Sequence, residues 1–249
     1  MRDDDFARRV SGVGALAEPV RRALYRHVVE ADGPVSRHGA ATALGVPPHV
    51  ARFHLDRLVE EGLLTVEYRR TTGRTGPGAG RPAKLYRRAP AEVAVSLPER
   101  RYDLAGELMA AAIETSAARG TPVADELAAV AAARGRRIAE AAGLPDATDV
   151  VGALRDVLAA WGYEPRVRPR PDGGADVTLV NCPFHALARD HTELVCGMNL
   201  TLLEALVGGA VGADVRARLD PAPDRCCVVL SVDAAAVSPG GTRGHPAAS

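Results

Sequence analysis

The stretch that most constrains the fold is 34–88, PVSRHGAATALGVPPHVARFHLDRLVEEGLLTVEYRRTTGRTGPGAGRPAKLYRR. Its first part predicts a short helix over 36–44, opened by Ser36, whose hydroxyl can accept from the free N–H groups of the first turn. Gly45-Val46-Pro47 breaks that helix. A second begins at Pro48, where a missing N–H costs little. Val50, Phe53, Leu55, Leu58, Val59 and Leu63 recur at helical spacing as its apolar positions, and His49, Arg52, His54, Asp56 and Arg57 supply a polar face. Gly62 ends the helix, 63–68 reads as a strand, and a Gly/Arg/Pro-rich loop over 71–82 leads into a returning strand at 83–86. The pattern is helix, turn, helix and a two-stranded wing.

Charge gives this stretch a chemistry. Residues 33–90 hold ten Lys/Arg against four acids, a local net of +6. A helix entering the major groove can place Arg and His on base edges while neighbouring groups hold phosphates. The candidate DNA contacts are Ser36, Arg37, His49, Arg52, His54 and Arg57 on the helices, and Arg69, Arg70, Arg74, Arg81 and Lys84 on the wing. A Gly-rich basic tip carrying Arg74 and Arg81 suits the backbone or a narrow minor groove. The competing reading is a solvated basic hairpin beside an ordinary helical pair; the coincidence of geometry and charge favours DNA.

ALGVPPHVARFHLDRLVEEGLLTVEYRRTTGRTGPGAGRPAKLYR resembles the winged helix-turn-helix of bacterial ArsR-like transcriptional regulators. GRPAKLYR in its wing resembles the subgroup that includes the SufR-type iron–sulfur regulators. The resemblance spans 16–88 and returns near the C-terminus.

At 249 residues the chain is long enough for two domains. Residues 1–90 carry +6 and 91–249 carry −6, as suits a DNA-binding domain joined to a separate regulatory one. No apolar run has transmembrane length and the N-terminus lacks a signal pattern, so a cytoplasmic protein without a membrane partner is expected. There, four cysteines argue for thiol, metal or redox use over a disulfide framework.

Residues 1–12 read as polar and frayed. A helix over 16–30 buries Leu16, Val20, Leu24, His27 and Val28, with Arg21, Arg22 and Arg26 on a solvated face. After a linker at 89–98 come helices over 101–118 and 122–142. Their apolar seams (Leu104, Leu108, Ala111, Ala112; Leu127, Val130, Ile138) suit either dimerisation and coupling or an intrachain pair. A homodimer is expected mainly because one winged helix has too small a footprint for specific binding. Then follow an amphipathic helix over 147–161, paired strands over 163–167 and 175–180, a helix over 186–207, and strands over 215–219 and 226–232. The architecture expected is α+β: a DNA-binding domain at 1–90, a helical linker and dimerisation region at 91–145, a cysteine-containing α+β sensor at 146–237, and a disordered tail at 238–249.

The second functional signal is Asn181-Cys182-Pro183-Phe184-His185, then His191, Cys196 and the pair Cys226-Cys227. Thiolates are soft ligands, and three or four of them with nearby imidazoles suit zinc or an iron–sulfur cluster. No CxxC occurs. Neighbours on a strand point to opposite faces, so only one of Cys226 and Cys227 is expected to face Cys182, with His185, His191, an acid or solvent as a further donor. Each cysteine alone reads more readily as a small buried hydrophobe than as a ligand, and it is Cys182-Pro183-Phe184-His185 with a downstream His and Cys that favours a site. NCPFHALARDHTELVCGMNLTLLEAL and RLDPAPDRCCVVL are similar to the C-terminal sensor of the SufR-type regulators. That resemblance implies a [4Fe–4S] cluster held by three cysteines, here Cys182, Cys196 and one of Cys226/Cys227, and repression of iron–sulfur assembly genes. Zinc or a small organic ligand is the alternative. No P-loop, GxSxG, HExxH or dinucleotide fingerprint is present, and Cys182 with His185 lacks an orienting acid, so no enzyme is expected.

Overall fold

The computed structural model describes residues 2–70, 82–210 and 215–234. The chain divides into two compact units, Met1–Val95 and Ser96–Ser249.

In the first unit α1 (Arg2–Ala15) and α2 (Pro19–Glu30) precede a short strand β1 (Val35–Ser36), α3 (Arg37–Leu44), α4 (Pro48–Glu60), β2 (Leu64–Arg69) and β3 (Ala83–Arg88). The sheet is antiparallel in the order β1-β3-β2. Leu24 and Val28 of α2, Ala40 and Ala41 of α3, Ala51, Leu55 and Leu58 of α4, and Leu64 and Tyr86 of the wing close one core. The segment expected to be frayed, 1–12, is helical over most of its length. Asp5 supports that helix by pairing with Arg8 and Arg9 three and four residues on. Phe6, Val10 and Val13 form an exposed stripe along it. The helix expected over 16–30 starts at Pro19 because Glu18 caps it, accepting from the Val20 and Arg21 N–H groups at 3.0 and 2.6 Å. His27, expected in the core, is half-buried.

In the second unit α5 (Tyr102–Arg119) and α6 (Val123–Ala141) are followed by a 3-10 turn (Leu144–Asp146), α7 (Val150–Ala160), β4 (Pro165–Pro169), β5 (Ala175–Leu179), α8 (His185–Asp190), α9 (Thr192–Val207), β6 (Val215–Leu219) and β7 (Val228–Val232). The strands form an antiparallel sheet in the order β4-β5-β7-β6. The segment expected as a separate linker and coupling region divides: 91–95 belong to the first unit, while Leu104, Leu108, Leu127 and Ile138 of α5 and α6 enter the core of the second beside α9 and the sheet. α6 and α9 approach so closely that a Cβ on Gly135 would lie 2.2 Å from the Leu202 carbonyl oxygen. Two further expectations are corrected. The helix over 186–207 is two helices, interrupted at His191, whose backbone (φ −133°, ψ 52°) leaves the helical region. Cys226 and Cys227 are not in a strand: they follow a turn in which Asp224 has φ 58°, and β7 begins only at Val228. The loop over 71–82, apart from Pro82, and the tail at 238–249 lie outside the described residues. Among the described residues no helix is long and apolar enough to cross a membrane.

Candidate nucleic-acid interface and thiol site

The turn between α3 and α4 is built by backbone chemistry that the sequence announces. Ser36 Oγ accepts from the Gly39 N–H at 3.0 Å and caps α3. Gly45, at φ 65°, closes α3 in the left-handed conformation that glycine adopts without penalty. Pro48 then starts α4. Burial of Ala51, Leu55 and Leu58 turns the opposite face of α4 outward, with His49, Arg52 and Phe53 exposed together one turn into the helix.

Not every candidate contact is free on that face. Arg52 is exposed, as is Arg37 at the start of α3. Arg57 is engaged by Glu60 at 3.2 Å and by Glu61. His54 turns the other way, with Nδ1 3.5 Å from Glu18 Oε2 and 3.4 Å from Arg21 Nε. Lys84 holds Asp56 Oδ1 at 2.5 Å, and Tyr86 donates its hydroxyl to the same oxygen at 2.8 Å. Burial opposes the charge on Asp56, yet these two bonds outweigh it and hold the carboxyl below its ordinary range. Burial, then the bond to Asp56, pushes the Tyr86 hydroxyl up. The acid on the helix is thereby neutralised rather than presented to a polyanion. Arg69 and Arg70 are exposed at the end of β2; Arg74 and Arg81 lie outside the described residues. Arg21 and Arg22 donate to carbonyls at 15–17.

Phe53, an apolar position in the helical spacing of α4, is 63% exposed. Helical spacing to Ala51 and Leu55, both buried, was the signal that places it on the far side.

In the second unit the four cysteines arrive from three segments. Cys182 follows β5, Cys196 is on α9, and Cys226 and Cys227 precede β7. The Cys226 N–H donates to the Leu179 carbonyl at 2.8 Å, which brings it beside the exit of β5. The thiols form a chain of hydrogen-bonding neighbours: Cys182 with Cys226, Cys226 with Cys227, Cys227 with Cys196. With the 226–227 pair lying between that turn and β7, the alternation rule expected for a strand does not apply, and both thiols take part in the chain. Asn199 donates to Cys226 Sγ at 3.3 Å, and Tyr163 donates to Asn199 Oδ1 at 2.6 Å. The bond to Cys226, then burial, pushes the Cys182 thiol well up. For Cys226 the bond to Cys182 acts downward, but the bond to Cys227 and burial prevail, and it is pushed up to about 11. Burial also raises Cys196, against the opposing bond from Cys227. Cys227 is the half-buried member of the four. His185 and His191 are exposed, and His191 lines a groove between α6 and α9.

Among the described residues no group of three or more His, Cys, Asp or Glu converges on one point as the ligands of a single metal ion do.

The segment that enters this unit is tied directly to the Cys182 loop. Arg100 donates to the Asn181 side chain and to the Cys182 carbonyl, the latter at 3.1 Å. Asn181 Nδ2 donates to the Glu99 carbonyl at 2.9 Å and to that of Gly162 at 2.5 Å. The Arg101 N–H donates to the Pro183 carbonyl at 3.0 Å, and its guanidinium lies 4.5 Å above the Trp161 ring.

Residues 16–67 match a family described as a helix-turn-helix domain. That match takes in α2, α3, α4 and the first half of β2, the elements that present Arg37, His49, Arg52 and Phe53. It supports a DNA-binding transcriptional regulator, with the helix-turn-helix continued by the two-stranded wing. No curated protein and no solved structure matches the chain.

Proposed function

We propose that the protein is a DNA-binding transcriptional repressor that acts as a homodimer. Its second unit senses iron–sulfur or redox status through a cysteine-held cluster of the [4Fe–4S] type. The observation that carries the sensing half is the gathering of four thiols from three separate segments in a unit that has no part in the helix-turn-helix. Cys182, Cys196 and one or both of Cys226 and Cys227 would hold the cluster, and soft sulfur donors suit it. When bound, it supplies a redox-active group that ties the three segments to one another. Binding requires the thiols to give up their protons. Asn181, next to Cys182 and bonded to the 99–100 segment, is placed to pass a change in that loop to the chain entering the unit.

Dimerisation follows from the small footprint of one winged helix. Leu104, Leu108, Leu127 and Ile138 of the α5 and α6 seams are spent inside the second unit, whereas Phe6, Val10 and Val13 form an exposed apolar stripe on the first. A second reading, a small organic ligand in place of the cluster, is favoured by one observation. A groove of about 650 Å³ between α6 and α9 is lined by Leu127, His191, Leu194 and Met198.

Iron and acid-labile sulfide assays on protein purified without oxygen test the proposal. Stoichiometric iron and sulfide in the wild type, lost in Cys196→Ser, are expected. A metal-free, colourless protein would sink the cluster and leave the organic ligand standing.

A further inference from the structure

Phe53 is a large aromatic side chain left 63% exposed on α4. Single exposed apolar residues are common on protein surfaces, so exposure alone carries nothing; position does. Phe53 shares its face with His49, four residues before it, and with Arg52, and all three are exposed within the first two turns of α4. The buried positions of α4 are Ala51, Leu55 and Leu58; outside that core the Phe53 ring meets the neighbouring His54 ring edge-on, centroids 5.2 Å apart. The acid one turn further on, Asp56, is held by Lys84 and Tyr86. Beyond it, Glu60 and Glu61 are both taken up by Arg57. What α4 offers outward is therefore an apolar ring flanked by an imidazole and the exposed guanidinium of Arg52.

The major groove has one apolar feature, the 5-methyl group of thymine, and its guanine edges accept two hydrogen bonds from an arginine. We infer that Phe53 is a specificity-determining residue that reads a thymine methyl group in the operator, beside a G·C pair read by Arg52. This rests on the DNA-binding reading of α3 and α4 and adds to it the class of base that the helix selects. Burying one methyl group changes affinity about fourfold. Two half-sites in a dimer complex give about fifteenfold when both thymines lose their methyl groups.

The test uses the full chain and a random-sequence duplex library. Wild-type protein selects a preferred site, and duplexes are then made with each thymine of that site replaced in turn by deoxyuridine, which lacks only the methyl group. The expected result is one thymine per half-site, next to a guanine, whose replacement weakens wild-type binding about fourfold. Phe53→Ala should bind the thymine and deoxyuridine duplexes equally, and Phe53→Leu should keep part of the difference. An unchanged fold is expected in both variants, because Phe53 is outside the core. If every replacement is silent in the wild type, or Phe53→Ala keeps the full methyl dependence, the inference is overturned. If the wild type selects no site at all, the DNA-binding reading beneath it fails instead.

Discussion

At the scale of single residues, charge on the helix pair is sorted by partner. Arg52 and Arg57 look alike in the sequence, five positions apart on one helix, yet Arg57 is bound to Glu60 and Glu61 while Arg52 is exposed, with a through-space charge interaction with Asp56. Arg52→Ala should cost about 1–3 kcal/mol of operator affinity and relax preference at one position. Arg57→Ala should cost much less, since its charge is already engaged at the surface. Equal losses in a binding titration would show that the pairing breaks on DNA. The cysteines divide in the same way by environment. In metal-free protein at neutral pH, iodoacetamide should modify Cys227 first, because Cys182, Cys196 and Cys226 are buried and their thiols are pushed up; peptide mapping by mass spectrometry reads this directly. Residue type and spacing revealed the basic face and the cysteine group. They did not reveal Phe53 or His54. The packing of α4 on α2 and the wing leaves the first exposed and turns the second toward Glu18 and Arg21.

At the scale of elements, apolar periodicity located α3, α4, α5, α6 and α7 to within a few residues, because each buries a continuous stripe. It failed where tertiary context decides. α1 opens on an acidic run that resembles a frayed terminus, β1 is only two residues long, and Cys226-Cys227 read as the start of a strand that a turn at Asp224 delays. The close crossing of α6 and α9 was invisible, since a glycine within a helix does not announce what lies against it. Gly135→Ala should lower stability by about 1–3 kcal/mol through overpacking against the backbone of α9, measured by urea unfolding. The tie between 99–102 and the Cys182 loop makes a separate prediction. Arg100→Ala removes its bonds to Asn181 and the Cys182 carbonyl, so limited trypsin digestion should cut faster after Arg101. Unchanged cutting would mean that the segment is held by other contacts.

At the scale of the whole molecule, the two units differ in charge as well as in fold. Met1–Val95 holds sixteen basic and eleven acidic residues, and the remainder fifteen and twenty, so +5 faces −5. The basic unit carries the helix-turn-helix and the acidic unit carries every cysteine. Each has its own hydrophobic core, so unfolding should proceed in two calorimetric transitions rather than one. The two can be assigned independently. Ser36→Ala removes the cap of α3 and should lower only the transition of the first unit, by about 0.5–2 kcal/mol. A cluster of the proposed kind, held by Cys182, Cys196 and one or both of Cys226 and Cys227, would bind the folded second unit alone, so on that proposal loading with iron and sulfide should raise only the other transition. Chelation should return it to its starting point while the Ser36-sensitive transition stays in place. A single transition that moves as a whole under both treatments would instead mean that the two cores fold as one, and that the reader and the thiol site are not separable devices.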